Sequence, residues 1–250
     1  MSRLIMITND DGINAHGIQL LAETLKPLGK IVTIAPKDEQ SASSHSLTIR
    51  QDIPVEHGRG NTYIVSGTPT DCVLLGIQGI LSTAPDLIVS GINHGPNMGE
   101  DVTYSGTVAA AIEGTILGIP SIAFSSLQRD ITDDGIIGPA ALSIVSTVLE
   151  HGIPENTLLN VNIPDPAKSP LRGVKITKLG SRSYRNILNP RKAAANRMNF
   201  TINGEEPVWK DDNGTDIAAV RQGYVSITPL MIDTTHYKAI VEMERWKFEL

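Results

Sequence analysis

Three consecutive runs decide the fold: Leu4-Ile5-Met6-Ile7-Thr8, Gly17-Ile18-Gln19-Leu20-Leu21-Ala22-Glu23-Thr24-Leu25 and Lys30-Ile31-Val32-Thr33-Ile34-Ala35. The first and third are short and rich in apolar, β-branched residues, as strands covered on both faces are. The second carries Ile18, Leu21 and Leu25 at helical spacing. Strand, helix and strand in that order form a βαβ unit, whose two strands run parallel in one sheet.

The alternation continues outward from this unit. An extended run, Tyr63–Ser66, precedes a helix over Pro69–Leu81, with Thr68 as N-cap and Pro69 at the first helical position, where its missing N–H costs nothing. A strand over Asp86–Ser90, a helix over Thr107–Leu117 and a strand over Ser121–Ser125 follow. A helix over Asp133–His151 and a strand over Leu158–Asn162 close this region near Pro164-Asp165-Pro166. The pattern predicts an α/β fold: a Rossmann-like, mostly parallel sheet with helices on both faces.

Beyond that point the character changes. From about Lys168 to Asn213 the chain is polar and punctuated by Gly, Pro and Asn, and extended runs such as Val174–Leu179 suit hairpins projecting from the main body. Asp216–Arg221 reads as helix, Tyr224–Pro229 as strand and Thr235–Leu250 as helical in composition. The expectation is a single domain over residues 1–250, with a core of about 1–165 and a hairpin and oligomerisation region of about 166–250.

Composition removes several classes of function. The chain has 250 residues, one cysteine, and 21 Lys+Arg against 27 Asp+Glu. Cys72 cannot form an internal disulfide, and no apolar run approaches the roughly 18 residues of a membrane span. A net charge of −6 supplies no general basic field for duplex nucleic acid, while a small anion at one site stays open. No secretory leader precedes Leu4, so the expected compartment is the cytoplasm.

Three turns that follow parallel strands concentrate small polar groups, and in an open α/β sheet such turns meet at the carboxyl edge. The first is Thr8-Asn9-Asp10-Asp11-Gly12. Adjacent carboxylates raise each other's pKa, a strain a divalent cation relieves; an Asx-turn or helix cap is the structural alternative. The second is the segment Ala35–Ser46, whose hydroxyls suit either oxygen ligation, phosphate contact or a solvated loop. The third runs from Ser90 to Thr107, with four glycines and Ser105-Gly106-Thr107 leading into a helix N-terminus, an anion-binding arrangement. It matches neither the Walker loop nor the Rossmann glycine spacing.

Five ordered blocks resemble one known family. They are Ile7–Gly12; Ala35-Pro36 through Ser41 to Ser46-Leu47-Thr48; Ser66–Val73; Asp86–Asn97; and Tyr104–Thr107 with Glu113-Gly114. Together they resemble the stationary-phase survival protein SurE family of metal-dependent 5′/3′-nucleotidases, and the likeness reappears at Thr228-Pro229-Leu230 and Asp233. The resemblance implies hydrolysis of nucleoside 5′- and 3′-monophosphates. It implies one divalent ion per subunit, Mg²⁺ or Mn²⁺, on Asp10, Asp11, Ser41 and Asn93. Catalytic roles fall to Asp10, Asp11 and Asn97, and phosphate contacts to Asn9, Asn97, Ser105, Gly106 and Thr107. It also implies a homodimer or homotetramer that exchanges its C-terminal part. Such an all-oxygen set suits a hard cation. A non-catalytic nucleotide-binding regulatory module is the competing reading, against which the paired aspartates argue.

Other residues read as structural. Cys72 suits a small buried hydrophobe, Asp71 a helix N-terminal charge, and Lys37, Asp38 and Glu39 a solvated turn. His45, His94 and His236 read first as loop or surface histidines. The stretch Arg182–Arg197, with Tyr184 among its arginines, is either a nucleobase or polyphosphate contact or an ordinary polar hairpin.

Overall fold

The computed structural model describes residues 3–128, 131, 134–168, 170–183, 188–194, 197–202, 208–210 and 212–248. In chain order the elements are β1 (Leu4–Thr8), α1 (His16–Leu25), β2 (Lys30–Pro36), β3 (Val55–His57), β4 (Thr62–Val65), α2 (Pro69–Leu75), β5 (Leu87–His94), α3 (Gly106–Ile116) and β6 (Ser121–Ser126). Then come α4 (Asp134–His151), β7 (Thr157–Ile163), β8 (Gly173–Ile176), β9 (Arg182–Ser183), β10 (Leu188–Ala194), β11 (Arg197–Ile202), β12 (Val208–Trp209), α5 (Asp216–Arg221), β13 (Tyr224–Met231) and α6 (Tyr237–Met243).

Nine strands form one sheet in the order β3-β4-β2-β1-β5-β6-β7-β13-β8. From β4 through β7 every neighbour is parallel; β3 and β13 pair antiparallel with β4 and β7. The alternation within β1 divides the core. Ile5 and Ile7 join the apolar cluster that includes Leu21, Leu25, Val145 and Phe124, whereas Met6 joins Val32, Ile34, Val73 and Ile88 on the other face. Helices therefore cover both faces, as the sequence predicts.

Local chemistry fixes the helix starts. Thr68 Oγ1 accepts from the Asp71 amide at 3.1 Å, and Asp71 Oδ2 accepts from the Thr68 amide at 2.8 Å, a reciprocal cap with Pro69 behind it. α2 widens after Leu75 into a π-helical turn over Gly76–Ile80, so the predicted Pro69–Leu81 helix changes type midway. α3 lies close on the sheet because Gly114 has no side chain: a Cβ there would sit 2.3 Å from Ser121 Oγ and 2.7 Å from Ile88 Cδ1.

Three expectations need correction. The strand predicted to stop at Ser90 runs on to His94, pairing Asn93 with Ser125 and His94 with Ser126 beyond a register shift. In the bulge Gly91 and Ile92 lie opposite the single residue Phe124, in a stretch whose glycine content reads as loop. The sheet also does not end near residue 165, because β13 and β8 complete its far edge; Val174 pairs with Val225 inside the sheet rather than projecting from it. Finally, helix in the tail is confined to Tyr237–Met243. A separate two-stranded ribbon, β10 with β11, does carry the hairpin character predicted for that region.

Candidate functional site

The chain leaves β1 toward β2 and β4, then returns to place β5 on the other side of β1. This reversal opens a crevice outside the carboxyl ends of β1 and β5, the place where such sheets bind ligands. A cavity of about 970 Å³ lies there, and its wall includes Asp10, Asp11, Glu39, Ser41, Asn93, His94, Asn97, Asp101, Tyr104, Ser105 and Arg182.

Asp10 is nearly inaccessible, at 5% exposure, and burial pushes its carboxyl up to about 6. The neighbouring Asp11 charge adds to the rise, and hydrogen bonds from Thr107 oppose it. Thr107 donates its hydroxyl to Asp10 Oδ1. Asp11 is also raised by burial, against the pull of His94, whose amide donates to Asp11 Oδ2 at 3.3 Å. The pair is thus a partly desolvated anionic site, which a cation would satisfy.

Asn93 donates its amide nitrogen to the Gly95 carbonyl at 2.8 Å, which leaves its oxygen to a ligand. Ser41 is exposed on the same wall and donates to Glu39 Oε1 at 2.5 Å. Carboxylate, hydroxyl and amide oxygens of four residues match a hard cation such as Mg²⁺ or Mn²⁺. No cluster of three or more His, Cys, Asp or Glu suited to a metal occurs among the described residues.

Asn97 is held from three sides. Its carbonyl accepts from Asn160 Nδ2 at 2.8 Å and Asn162 Nδ2 at 3.0 Å, and its amide donates to Asn162 Oδ1 at 2.9 Å. Its side-chain nitrogen donates to Ser125 Oγ at 2.8 Å. Asn160 and Asn162 stand two apart on β7, so both point to one face of the sheet. Sequence reasoning missed this trio; the available signal was polar residues inside two strands whose neighbours are apolar.

α3 begins against Asp10. Ser105 caps it, its Oγ accepting from the Val108 amide at 3.1 Å. A Cβ on Gly106 would lie 2.7 Å from Ser43 Oγ, 2.8 Å from Asp10 Cβ and 3.0 Å from Asp10 Oδ2, so only glycine permits this approach. Ser43 Oγ is buried there without a hydrogen-bond partner.

Of the predicted residues, Asp10, Asp11, Ser41, Asn93, Asn97 and Ser105 share the cavity wall. Asn9, Gly106 and Thr107 do not, and all three are buried. Asn9 Nδ2 donates to the Gly12 carbonyl at 2.9 Å and shapes the turn, while Thr107 serves Asp10. Glu39, expected in a solvated turn, lines the cavity; Lys37 meets the expectation in an exposed pair with Glu56. His94 lines the wall, with Nε2 buried and unpartnered. His45 instead meets the buried Glu113 at 2.8 Å, and His236 accepts from the Ala239 amide at 2.9 Å as the cap of α6. Tyr184 and Arg185 lie outside the described residues, as do the side chains of Arg191, Lys192 and Arg197.

Arg182 and Asp101, which sequence reasoning did not pair, form an ion pair at the wall. The backbone around them is tied down. Glu100 Oε1 accepts from Ser181 Oγ at 2.7 Å, and Oε2 from the Arg182 amide at 2.9 Å. Asp216 accepts from the Gly99 amide at 2.9 Å and the Gly180 amide at 2.7 Å.

A Rossmann-like sheet with paired aspartates and amide oxygens at its switch point defines the class: an α/β protein with its candidate site at the carboxyl edge of the sheet. Residues 5–186 match the family described as Survival protein SurE. The chain belongs to that family. It is 44% identical over 245 residues to the 5′-nucleotidase SurE of Pelobacter propionicus, covering 98% of this chain and 99% of that protein. It is 45% identical over 237 residues to the 5′-nucleotidase SurE of Aquifex aeolicus, covering 94% of each. The crystal structure of the SurE protein from Aquifex aeolicus superposes with a TM-score of 0.86 at 44% identity, over 96% of this chain and 98% of that one. No helix among the described residues is long and apolar enough to cross a membrane.

Proposed function

We propose that this protein is a divalent-metal-dependent nucleotidase that hydrolyses nucleoside 5′- and 3′-monophosphates to nucleoside and phosphate. The observation that carries the reading is the convergence of Asp10, Asp11, Asn93 and Asn97 with the start of α3 on one cavity. The names of the relatives, 5′-nucleotidase SurE, support it.

Asp10, Asp11, Ser41 and Asn93 would hold Mg²⁺ or Mn²⁺, which when bound supplies Lewis-acid polarisation of a phosphate oxygen and a more acidic water. Asp10 is the fixed ligand, its orientation set by Thr107. Asp11 is less buried, and Oδ2 receives only a long amide bond from His94, so it is the carboxylate free to take the proton of the attacking water. Water attacks phosphorus as Asp11 takes its proton, the bond to the nucleoside oxygen breaks, and that oxygen takes up a proton from solvent as nucleoside and phosphate leave. Asn97 and the Ser105-Gly106 turn hold the non-bridging oxygens, on a backbone that Asn160 and Asn162 keep rigid.

A phosphate-release assay over ribonucleoside and deoxyribonucleoside monophosphates, with a series of metals, tests the reading. Metal-dependent release without any acceptor is expected; release from no nucleotide under any metal would leave a regulatory nucleotide-binding module as the better reading. Single-turnover hydrolysis in H₂¹⁸O with enzyme in excess tests the water route. Label is expected in the released phosphate, and label retained in the protein would instead indicate an aspartyl-phosphate.

The tail supports an oligomer. α6 and the residues after it expose Tyr237, Ile240, Val241, Trp246 and Phe248, an apolar surface large for an isolated monomer. Sedimentation at micromolar concentration is expected to give a dimer or tetramer, and a chain ending at residue 233 a smaller species.

A further inference from the structure

We propose that Arg182, oriented by Asp101, is the specificity-determining residue that recognises the base of the nucleotide. The inference rests on the nucleotidase reading and names the half of the substrate that the phosphate machinery leaves unaccounted for.

A cavity of about 970 Å³ is far larger than a phosphate group needs. Its phosphate-directed residues all come from the turns after β1, β2 and β5 and from the start of α3. Arg182 arrives from a different part of the chain, beyond β8, and still lines the same wall. Among the described lining residues it is the one Lys or Arg, facing a wall that carries Asp10, Asp11, Glu39 and Asp101.

The guanidinium is held at the carboxylate of Asp101, with side-chain exposures of 10% and 13%. Burial lowers Arg182 to about 10, so it remains a cation at neutral pH. An almost buried ion pair is a poor source of stability, because desolvating both charges offsets most of their attraction. Its charge is also largely cancelled for a distant phosphate. What survives cancellation is directional: a planar guanidinium fixed in orientation, whose π-face stacks on heterocycles. Tyr104, 62% exposed, adds an aromatic surface to the same cavity.

The position is built rather than incidental. Glu100 binds both Ser181 Oγ and the Arg182 amide, and Asp216 bridges the amides of Gly99 and Gly180. Four hydrogen bonds thus stitch the segment bearing Arg182 to the segment bearing Asp101, and the latter runs directly into Tyr104 and Ser105. Recognition of the base and capture of the phosphate are consequently set at a fixed separation.

The test compares AMP with ribose 5-phosphate, which has the same phosphate and sugar and no base. Wild type, Arg182→Ala, Arg182→Lys and Asp101→Asn are measured by steady-state hydrolysis and, independently of turnover, by calorimetric binding in the presence of Mg²⁺. Wild type is expected to prefer AMP. Arg182→Ala is expected to reduce that preference about tenfold, chiefly through KM and Kd for AMP, and Arg182→Lys not to restore it because an ammonium has no planar face. Asp101→Asn is expected to fall between. Equal losses on both ligands would overturn the proposal by placing Arg182 at the phosphate or in the scaffold, as would an undiminished preference for AMP. Where wild type binds AMP without hydrolysing it, the nucleotidase reading fails and the binding comparison still decides the role of Arg182.

Discussion

Thr107 donates its hydroxyl to Asp10 Oδ1, and the two side chains have 0% and 5% exposure. The threonine, which in sequence reads as a phosphate contact, is spent on the carboxylate. Thr107→Val removes the hydrogen bond that holds Asp10 below the value burial alone would give, so the Asp10 carboxyl rises further above its ordinary range. Activity is expected to fall about tenfold or more, and the acid limb of the pH–rate profile to move to higher pH, with Thr107→Ser close to wild type. A profile unmoved by valine would separate Thr107 from the charge of Asp10.

Asp10 also makes the metal-free protein sensitive to pH. Its folded carboxyl stands at about 6 against an ordinary value of 3.8, so the folded state binds the proton more tightly than the unfolded chain. Its contribution to stability is full below 3.8 and is lost as pH rises through about 6. In chelator, Asp10→Asn is therefore expected to be more stable than wild type above pH 6, by about 3 kcal/mol at the limit, with the difference closing near pH 4. Thermal melts across that range check it, while activity of the variant should drop by orders of magnitude.

The asparagine cage predicts a different signature. Asn162→Ala leaves the buried Asn97 amide without an acceptor and removes one of the two donors to its carbonyl. A stability loss of about 1–3 kcal/mol is expected. Turnover should fall more than KM rises, because a loosened Asn97 meets the transition state poorly. Stopped-assay kinetics with a parallel melt separate the two effects.

Gly106→Ala tests the close approach of α3 to Asp10. The new methyl would meet Asp10 Cβ and Oδ2, and neither can retreat without moving β1 or its turn. Loss of most activity with a folded circular dichroism spectrum is expected; full activity would show that the helix start can shift away.

Much of this was readable beforehand, and the exceptions have physical causes. Hydrophobic runs such as Leu4–Thr8 and the Thr68-Pro69-Asp71 cap state their structure locally, and the acids at Asp10 and Asp11 stand at a strand end where a parallel sheet opens. The strand after Ser90 was hidden because a bulge at Gly91 and Ile92 breaks the alternation. The family resemblance puts Asn9 and Thr107 at the ligand, yet side-chain direction depends on packing that neither residue type nor spacing encodes. The Asn97 cage and the Arg182–Asp101 pair join residues 65 and 81 apart in the chain, contacts with no local signature.

The sheet order has a further consequence for biosynthesis. β7 pairs on its outer side with β13, which lies more than sixty residues later, and β8 can join only through β13. Until β13 is available, the outer edge of β7 has no strand of this sheet to pair with. Unpaired strand edges are templates for association between chains, so this interval is where nascent copies are most exposed to one another. Arrest or truncation before Tyr224 would leave the edge permanently open, even though Asp10, Asp11, Asn93 and Asn97 had already been made.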